Sequence, residues 1–168
     1  HGGGIWLSNG IHTLANNTIY GNIAVDYGGG IITWYGINIL TNNTVNGNHA
    51  EWGGGIYTDS GQNIFTNNTI HENHAELGGG IYNSSGINAI QNNIFWGNQK
   101  GGNVTAFGAD YEKHPNFSST NAFINNMMQL DPSSYSVANN NVMSAGSSGN
   151  LFQIDPLFIN PSDPDGPD

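Results

Sequence analysis

The chain has 168 residues, a length for one domain, with 12 acidic side chains against two lysines and no arginine, for a formal charge of −10. Such a surface is poor for nucleic acid or anionic membrane, both of which call for basic side chains, and it favours divalent cations instead. Cysteine is absent, which removes disulfides and thiolate metal sites, and no segment approaches the ~18 apolar residues of a membrane helix, so no direct membrane insertion is expected.

Four near copies of one segment then follow in chain order. Gly2–Tyr27 reads GGGIWLSNGIHTLANNTIYGNIAVDY, Gly28–Trp52 GGGIITWYGINILTNNTVNGNHAEW, Gly53–Leu77 GGGIYTDSGQNIFTNNTIHENHAEL, and Gly78–Lys100 GGGIYNSSGINAIQNNIFWGNQK. The triple glycines begin at 2, 28, 53 and 78, and each precedes its Asn-Asn pair by 14 residues. Repetition at a fixed period is the sequence signature of a solenoid. Helical readings fail because every copy carries several glycines among β-branched residues and asparagines, all poor in helix interiors.

Each copy divides into three short strands. The second shows them best: Ile31–Thr33, Ile37–Thr41 and Thr44–Val45, with corners at Gly36, Asn42–Asn43 and Gly47–Asn48, where glycine and asparagine tolerate left-handed backbone. Three strands and three corners make one coil of a parallel β-helix. One coil buries nothing alone, but stacking at roughly 4.8 Å per coil aligns equivalent positions into columns. Ile5, Ile31, Ile56 and Ile81 form one core column, Leu14, Leu40, Phe65 and Ile90 a second, and Ile19, Val45, Ile70 and Phe95 a third. Asn17, Asn43, Asn68 and Asn93 predict an asparagine ladder at a corner. Tyr27, Trp52 and Leu77 predict an apolar column just before the triple glycines.

A degenerate fifth start, GGNV, lies at Gly101, after which the period breaks down. Asparagine corners at Asn125–Asn126 and Asn139–Asn141 predict continued coiling with inserted loops, a cap that shields the end of the core. Residues 1–168 thus read as a single domain: regular repeats over 1–100, irregular coils and loops over 101–150, and a terminal strand with an acidic Pro/Asp-rich tail over 151–168. The start at His1 and the end in DPDGPD read as trimmed, so the first coil is expected to stack end to end, on further coils of a longer chain or on a second copy.

The pattern GGGIY…NNTI…GN.A resembles the repeats of right-handed parallel β-helix proteins of the pectin-lyase-like class, among them bacterial secreted and surface proteins and polymorphic outer-membrane proteins. The resemblance implies an all-β, right-handed parallel β-helix of about four regular coils of ~25 residues, with an irregular loop-rich C-terminal end. It also implies an extracellular or bacterial-surface location and a non-catalytic structural or adhesive role, filament-forming or carbohydrate-contacting.

The alternative is a polysaccharide-degrading enzyme. Asp26, Glu51 and Glu76 place one carboxylate in each of three coils, and glycoside hydrolases of this fold class use grouped carboxylates to protonate the leaving group and activate water. The paired aspartates and distal histidine of polygalacturonases are not found, however. Lyase chemistry, which needs a basic residue, is further disfavoured because the only lysines are Lys100 and Lys113. His49 and His74 stand two residues before Glu51 and Glu76, a spacing that brings imidazole and carboxylate to one face of a strand as candidate metal ligands. Asp163 and Asp165 in the tail offer alternating oxygen ligands suited to calcium. No cofactor is required.

Overall fold

The computed structural model describes residues 2–104, 106, 109–129 and 147–153, all β and turn, with no helix among the described residues. The first coil contributes β1 (Ile5–Ser8), β2 (Ile11–Ala15) and β3 (Thr18–Tyr20). The second adds β4 (Ile31–Trp34), β5 (Ile37–Thr41), β6 (Thr44–Asn46) and β7 (His49–Trp52). In the third coil these become β8 (Ile56–Asp59), β9 (Gln62–Thr66), β10 (Thr69–His71) and β11 (His74–Leu77). The fourth repeats them as β12 (Ile81–Asn83), β13 (Gly86–Gln91), β14 (Ile94–Trp96) and β15 (Gln99–Lys100). A fifth, irregular coil holds β16 (Tyr111–Lys113), β17 (Ser119–Ile124) and β18 (Met127–Met128), and β19 (Leu151–Phe152) lies on β18.

Every ladder between these strands is parallel, and each strand pairs with its equivalents one coil before and after. The expected core columns are in register: Ile5–Ile31–Ile56–Ile81–Tyr111, Leu14–Leu40–Phe65–Ile90–Phe123, and Ile19–Val45–Ile70–Phe95–Met128–Phe152. They pack as one continuous cluster. Alternation does the sorting, since residues two apart on a strand share a face.

Two expectations need correction. A regular coil has four strands, not three, because residues after the Gly-Asn corner run on as β7, β11 and β15 in a sheet of their own. On that strand only Ala50 and Ala75 point inward and are buried, so its core signal is two small side chains. The fifth coil does not start at Gly101 either. Gly101 N–H donates back to Ala75 O at 2.8 Å, and the first strand of that coil is Tyr111–Lys113, in register with Ile81–Asn83. Asn125–Asn126 is a corner of the expected kind, with Asn125 at φ 53° and Asn126 buried. Asn139–Asn141 and the DPLFIN strand lie outside the described residues.

The ladder at Asn17, Asn43, Asn68 and Asn93 continues through Asn126 to Asn150. Each rung repeats one geometry. Asn68 Nδ2 donates to Asn93 Oδ1 (3.0 Å) and to Leu40 O (2.8 Å), while its Oδ1 accepts from the Asn43 side-chain amide (3.0 Å) and backbone N–H (2.9 Å). The residue before each rung, Asn16, Asn42, Asn67, Asn92 or Asn125, takes the left-handed backbone at φ 53–59° that turns the corner. Asn68→Ala is expected to cost about 2–3 kcal/mol, since a buried group left unpaired costs roughly 1–3 kcal/mol and several lose their partner here. Asn67→Gly, at an exposed left-handed position, should be near neutral. Urea unfolding of the two variants checks this, and equal midpoints would show that the ladder contributes no stability.

Two further ladders run beside the first. Asn22, Asn48, Asn73 and Asn98 link amide to amide at 3.0–3.1 Å and end on Asp110, which accepts from Asn98 at 3.2 Å. Asn38, Asn63, Asn88 and Asn121 form the third, at 2.9–3.0 Å, inside the coil. The solenoid interior is therefore an apolar strip edged by hydrogen-bonded amides, which pair most of the buried side-chain polar groups, Asn38 Oδ1 at the start of the third ladder and Thr33 Oγ1 excepted.

Candidate functional site

The acidic column is placed on the outer surface of the sheet formed by β7, β11 and β15. Glu76 stands opposite Glu51, because His74, Ala75 and Leu77 pair with His49, Ala50 and Trp52, and both carboxylates are exposed to water. Asp26 fits less regularly. Ile23 bridges His49 and Tyr27 bridges Trp52, so the first coil has one residue more in this interval, and Val25 and Asp26 share the place opposite Glu51. The Trp52 N–H donates to Asp26 O at 2.8 Å across this bulge.

His49 and His74 stack in register on the same outward face as Glu51 and Glu76, with ring centroids 4.9 Å apart in an edge arrangement. The i, i+2 spacing thus lies on a strand. Among the described residues, however, no three His, Asp or Glu side chains converge into a group that could hold a metal ion. Asp163 and Asp165 lie outside the described residues.

A different surface brings more side chains together. The outward side of the first sheet carries Trp6, Ile32, Tyr57, Tyr82 and Glu112 in one column, of which Ile32, Tyr57 and Tyr82 are buried, with Trp34 and Asp59 adjacent in the next. Tyr27, Trp52 and Leu77, the expected column before the triple glycines, lean onto this face and complete a second apolar cluster outside the coil. Tyr27 lies 4.8 Å from Tyr57 and 5.3 Å from Trp52, and Tyr57 stacks on Tyr82 at 5.8 Å and 11°. Trp6 and Trp34 face each other at 6.5 Å, and with Tyr27 and Ile32 they line a cavity of about 140 Å³. Trp6 is 53% exposed.

The neighbouring corner adds Tyr35, 48% exposed, at φ 61°. Its equivalents in the first and third coils are Asn9 and Ser60, also left-handed. A bulky ring there carries strain on the order of 1–3 kcal/mol, and its ring lies 6.3 Å from Trp34. Burial pushes the hydroxyls of Tyr57 and Tyr82 above the usual phenol range, so both remain neutral donors.

Polar groups border the stripe. Asp59 Oδ1 lies 3.1 Å from Ser85 Oγ and 3.3 Å from Ser60 Oγ, and the two hydroxyls are 3.0 Å apart, so their two protons serve two of these three contacts. At the far end Glu112 is fixed by Lys100 Nζ at 2.7 Å and the Gly78 N–H at 2.8 Å. Burial pushes the Glu112 carboxyl upward, against the opposing pull of Lys100 and that amide.

None of Asp59, Asp110 or Glu112 was singled out by the sequence reading, nor was the stripe as a whole. The stripe had a signal: outward positions of the first strand are those one and three after Ile5, Ile31, Ile56 and Ile81, and they read Trp, Ile, Tyr, Tyr and Ser, Trp, Asp, Ser. Glu112 had none, because it follows an interval where the period is lost.

No curated protein and no solved structure matches the chain. Residues 1–126 match the family described as the right handed beta helix region. That span includes the four regular coils, the aromatic face and the first two strands of the fifth coil, and it fixes the hand of the coiling. The chain therefore belongs to the right-handed β-helix family.

Proposed function

We propose that the chain is a non-catalytic structural or adhesive module of an extracellular or bacterial-surface protein, contacting carbohydrate through the aromatic face of its first sheet. The observation that carries this reading is the group of aromatic rings at the surface, Trp6 and Tyr35 in solvent and Tyr27, Trp34 and Trp52 partly exposed beside them, over a buried floor of Ile32, Tyr57 and Tyr82. A contiguous apolar surface marks a contact site rather than ordinary surface. Aromatic rings offer large, rigid contact area at low entropy cost, and the C–H faces of pyranose rings are the carbohydrate groups that stack on them. The accessible rings come from two successive coils, Trp6 and Tyr27 from the first and Trp34, Tyr35 and Trp52 from the second, an arrangement that suits an extended polymer more than a compact ligand.

Pull-down on immobilised pectic, alginate, glycosaminoglycan and uncharged polysaccharides, with reducing-end release measured in parallel, tests the reading. Binding without turnover is expected. Retention on none of these polymers would defeat it. Turnover lost in Glu51→Gln but kept in Asn67→Ala would replace it with the hydrolase alternative on the acidic column.

A further inference from the structure

We infer that the cavity between Trp6, Tyr27, Ile32 and Trp34 is a single-ring subsite for an uncharged hexopyranosyl chain, and that this face rejects polyuronates. The inference rests on the carbohydrate reading above and narrows it to one class of glycan.

Size sets the first limit. A pocket that engulfs a drug-sized ligand measures roughly 300–1,000 Å³; at about 140 Å³ this one takes one ring, with the rest of the chain passing over the exposed Tyr35 and the partly exposed Trp52. Its lining is three aromatic rings and an isoleucine, with Trp6 and Trp34 inclined at 51°. Such walls meet the apolar face of a sugar and supply no partner for a buried charge, so a carboxylate lodged there would lose its hydration uncompensated.

Charge sets the second limit. Asp59 is the register neighbour of Trp34, and Asp26 adjoins Tyr27 in the chain. One strand spacing, about 4.8 Å, is well inside the screening length of about 8 Å at physiological salt. No lysine or arginine occurs in residues 2–99, and Lys100, at the other end of the face, is engaged by Glu112 at 2.7 Å. A uronate polymer therefore meets carboxylates and no cation along the regular coils. The same Asp59 suits a neutral sugar, because a carboxylate accepts hydrogen bonds from hydroxyl groups, and the Ser60–Ser85 pair beside it can accept or donate. The left-handed Tyr35 extends the aromatic wall on this side.

The experiment titrates the protein, by tryptophan fluorescence and affinity electrophoresis, with a soluble β-glucan, a galactomannan, polygalacturonate and alginate, at low and high salt. An uncharged polymer should bind with little salt dependence. Trp34→Ala and Trp6→Ala should each weaken that binding at least tenfold, while Trp96→Ala, on β14, leaves it unchanged. Trp6→Ala, half in solvent, keeps the test open should Trp34→Ala fail to fold. Polyuronates binding as tightly as the neutral polymers would overturn the inference and leave the carbohydrate reading intact. Neutral binding untouched by both cavity variants would overturn it as well, by moving the subsite elsewhere. Binding of neither class would remove both readings together.

Discussion

Ile56→Asp is expected to yield no cooperatively folded protein at room temperature. Ile56 has no solvent exposure and lies between Ile31 and Ile81 in the central core column. The substitution removes burial worth about 1.5–3 kcal/mol and places a carboxylate among hydrocarbon side chains, where an unpaired polar group costs several kcal/mol more, roughly 2–7 even before its charge is counted. Native proteins have only about 5–15 kcal/mol in total. Ile56→Val, which trims one methylene, should fold and lose about 0.5–1.5 kcal/mol. Far-UV circular dichroism with thermal melting separates the cases; a native melting curve for the aspartate variant would mean that the column is not the core.

Gly54→Ala carries the second largest effect. A Cβ at Gly54 would fall onto His74 O, with His74 C at 2.6 Å and Gly79 O at 2.7 Å. All three are backbone atoms, two at the start of β11 and one in the triple glycine of the next coil, so no side-chain rotation relieves the contact. The middle glycines Gly3, Gly29 and Gly79 meet the same kind of obstruction, which explains why the triplet recurs. Overpacking usually costs 1–3 kcal/mol and occasionally more. Against hydrogen-bonded backbone we expect more than about 4 kcal/mol, a melting-temperature fall of roughly 8–16 °C for a chain this size. Gly21→Ala is the control, since φ is +65° there but nothing lies within 4 Å; it should lose only the left-handed penalty of about 1–2 kcal/mol. Equal melting of the two variants would defeat the close-approach explanation.

Columns were legible in the sequence because stacking turns a repeat into spatial contact: Ile31 predicts Ile56, and Asn43 predicts Asn68, with no knowledge of the corners between them. Parity along a strand is legible too, but a polar residue on the inward side obscures it. Asn38 lies two residues before the inward Leu40 and therefore faces inward, but between Ile37 and Ile39 it reads as a break in an apolar run. The fourth strand leaves little trace in the sequence because its inward residues are single alanines. The aromatic stripe draws on two sheets, Tyr27, Trp52 and Leu77 from one and Trp6, Ile32, Tyr57 and Tyr82 from the other, and only the closed coil brings them together. The region around Glu112 was not legible, since Tyr111 follows its partner Ile81 by 30 residues rather than 25 and no period survives to align it.

The parallel ladders also determine how the molecule carries a mechanical load. Their hydrogen bonds run from coil to coil, along the axis of the rod, so tension applied between its two ends opens one layer at a time instead of shearing all layers together. Each layer that opens releases the 25 residues between one column position and the next, about 80–90 Å of extended chain, in place of the roughly 4.8 Å of rod it occupied. A pulled rod of this kind lengthens in discrete, nearly equal increments, dissipating work at each coil while the layers still closed keep their aromatic rings in place.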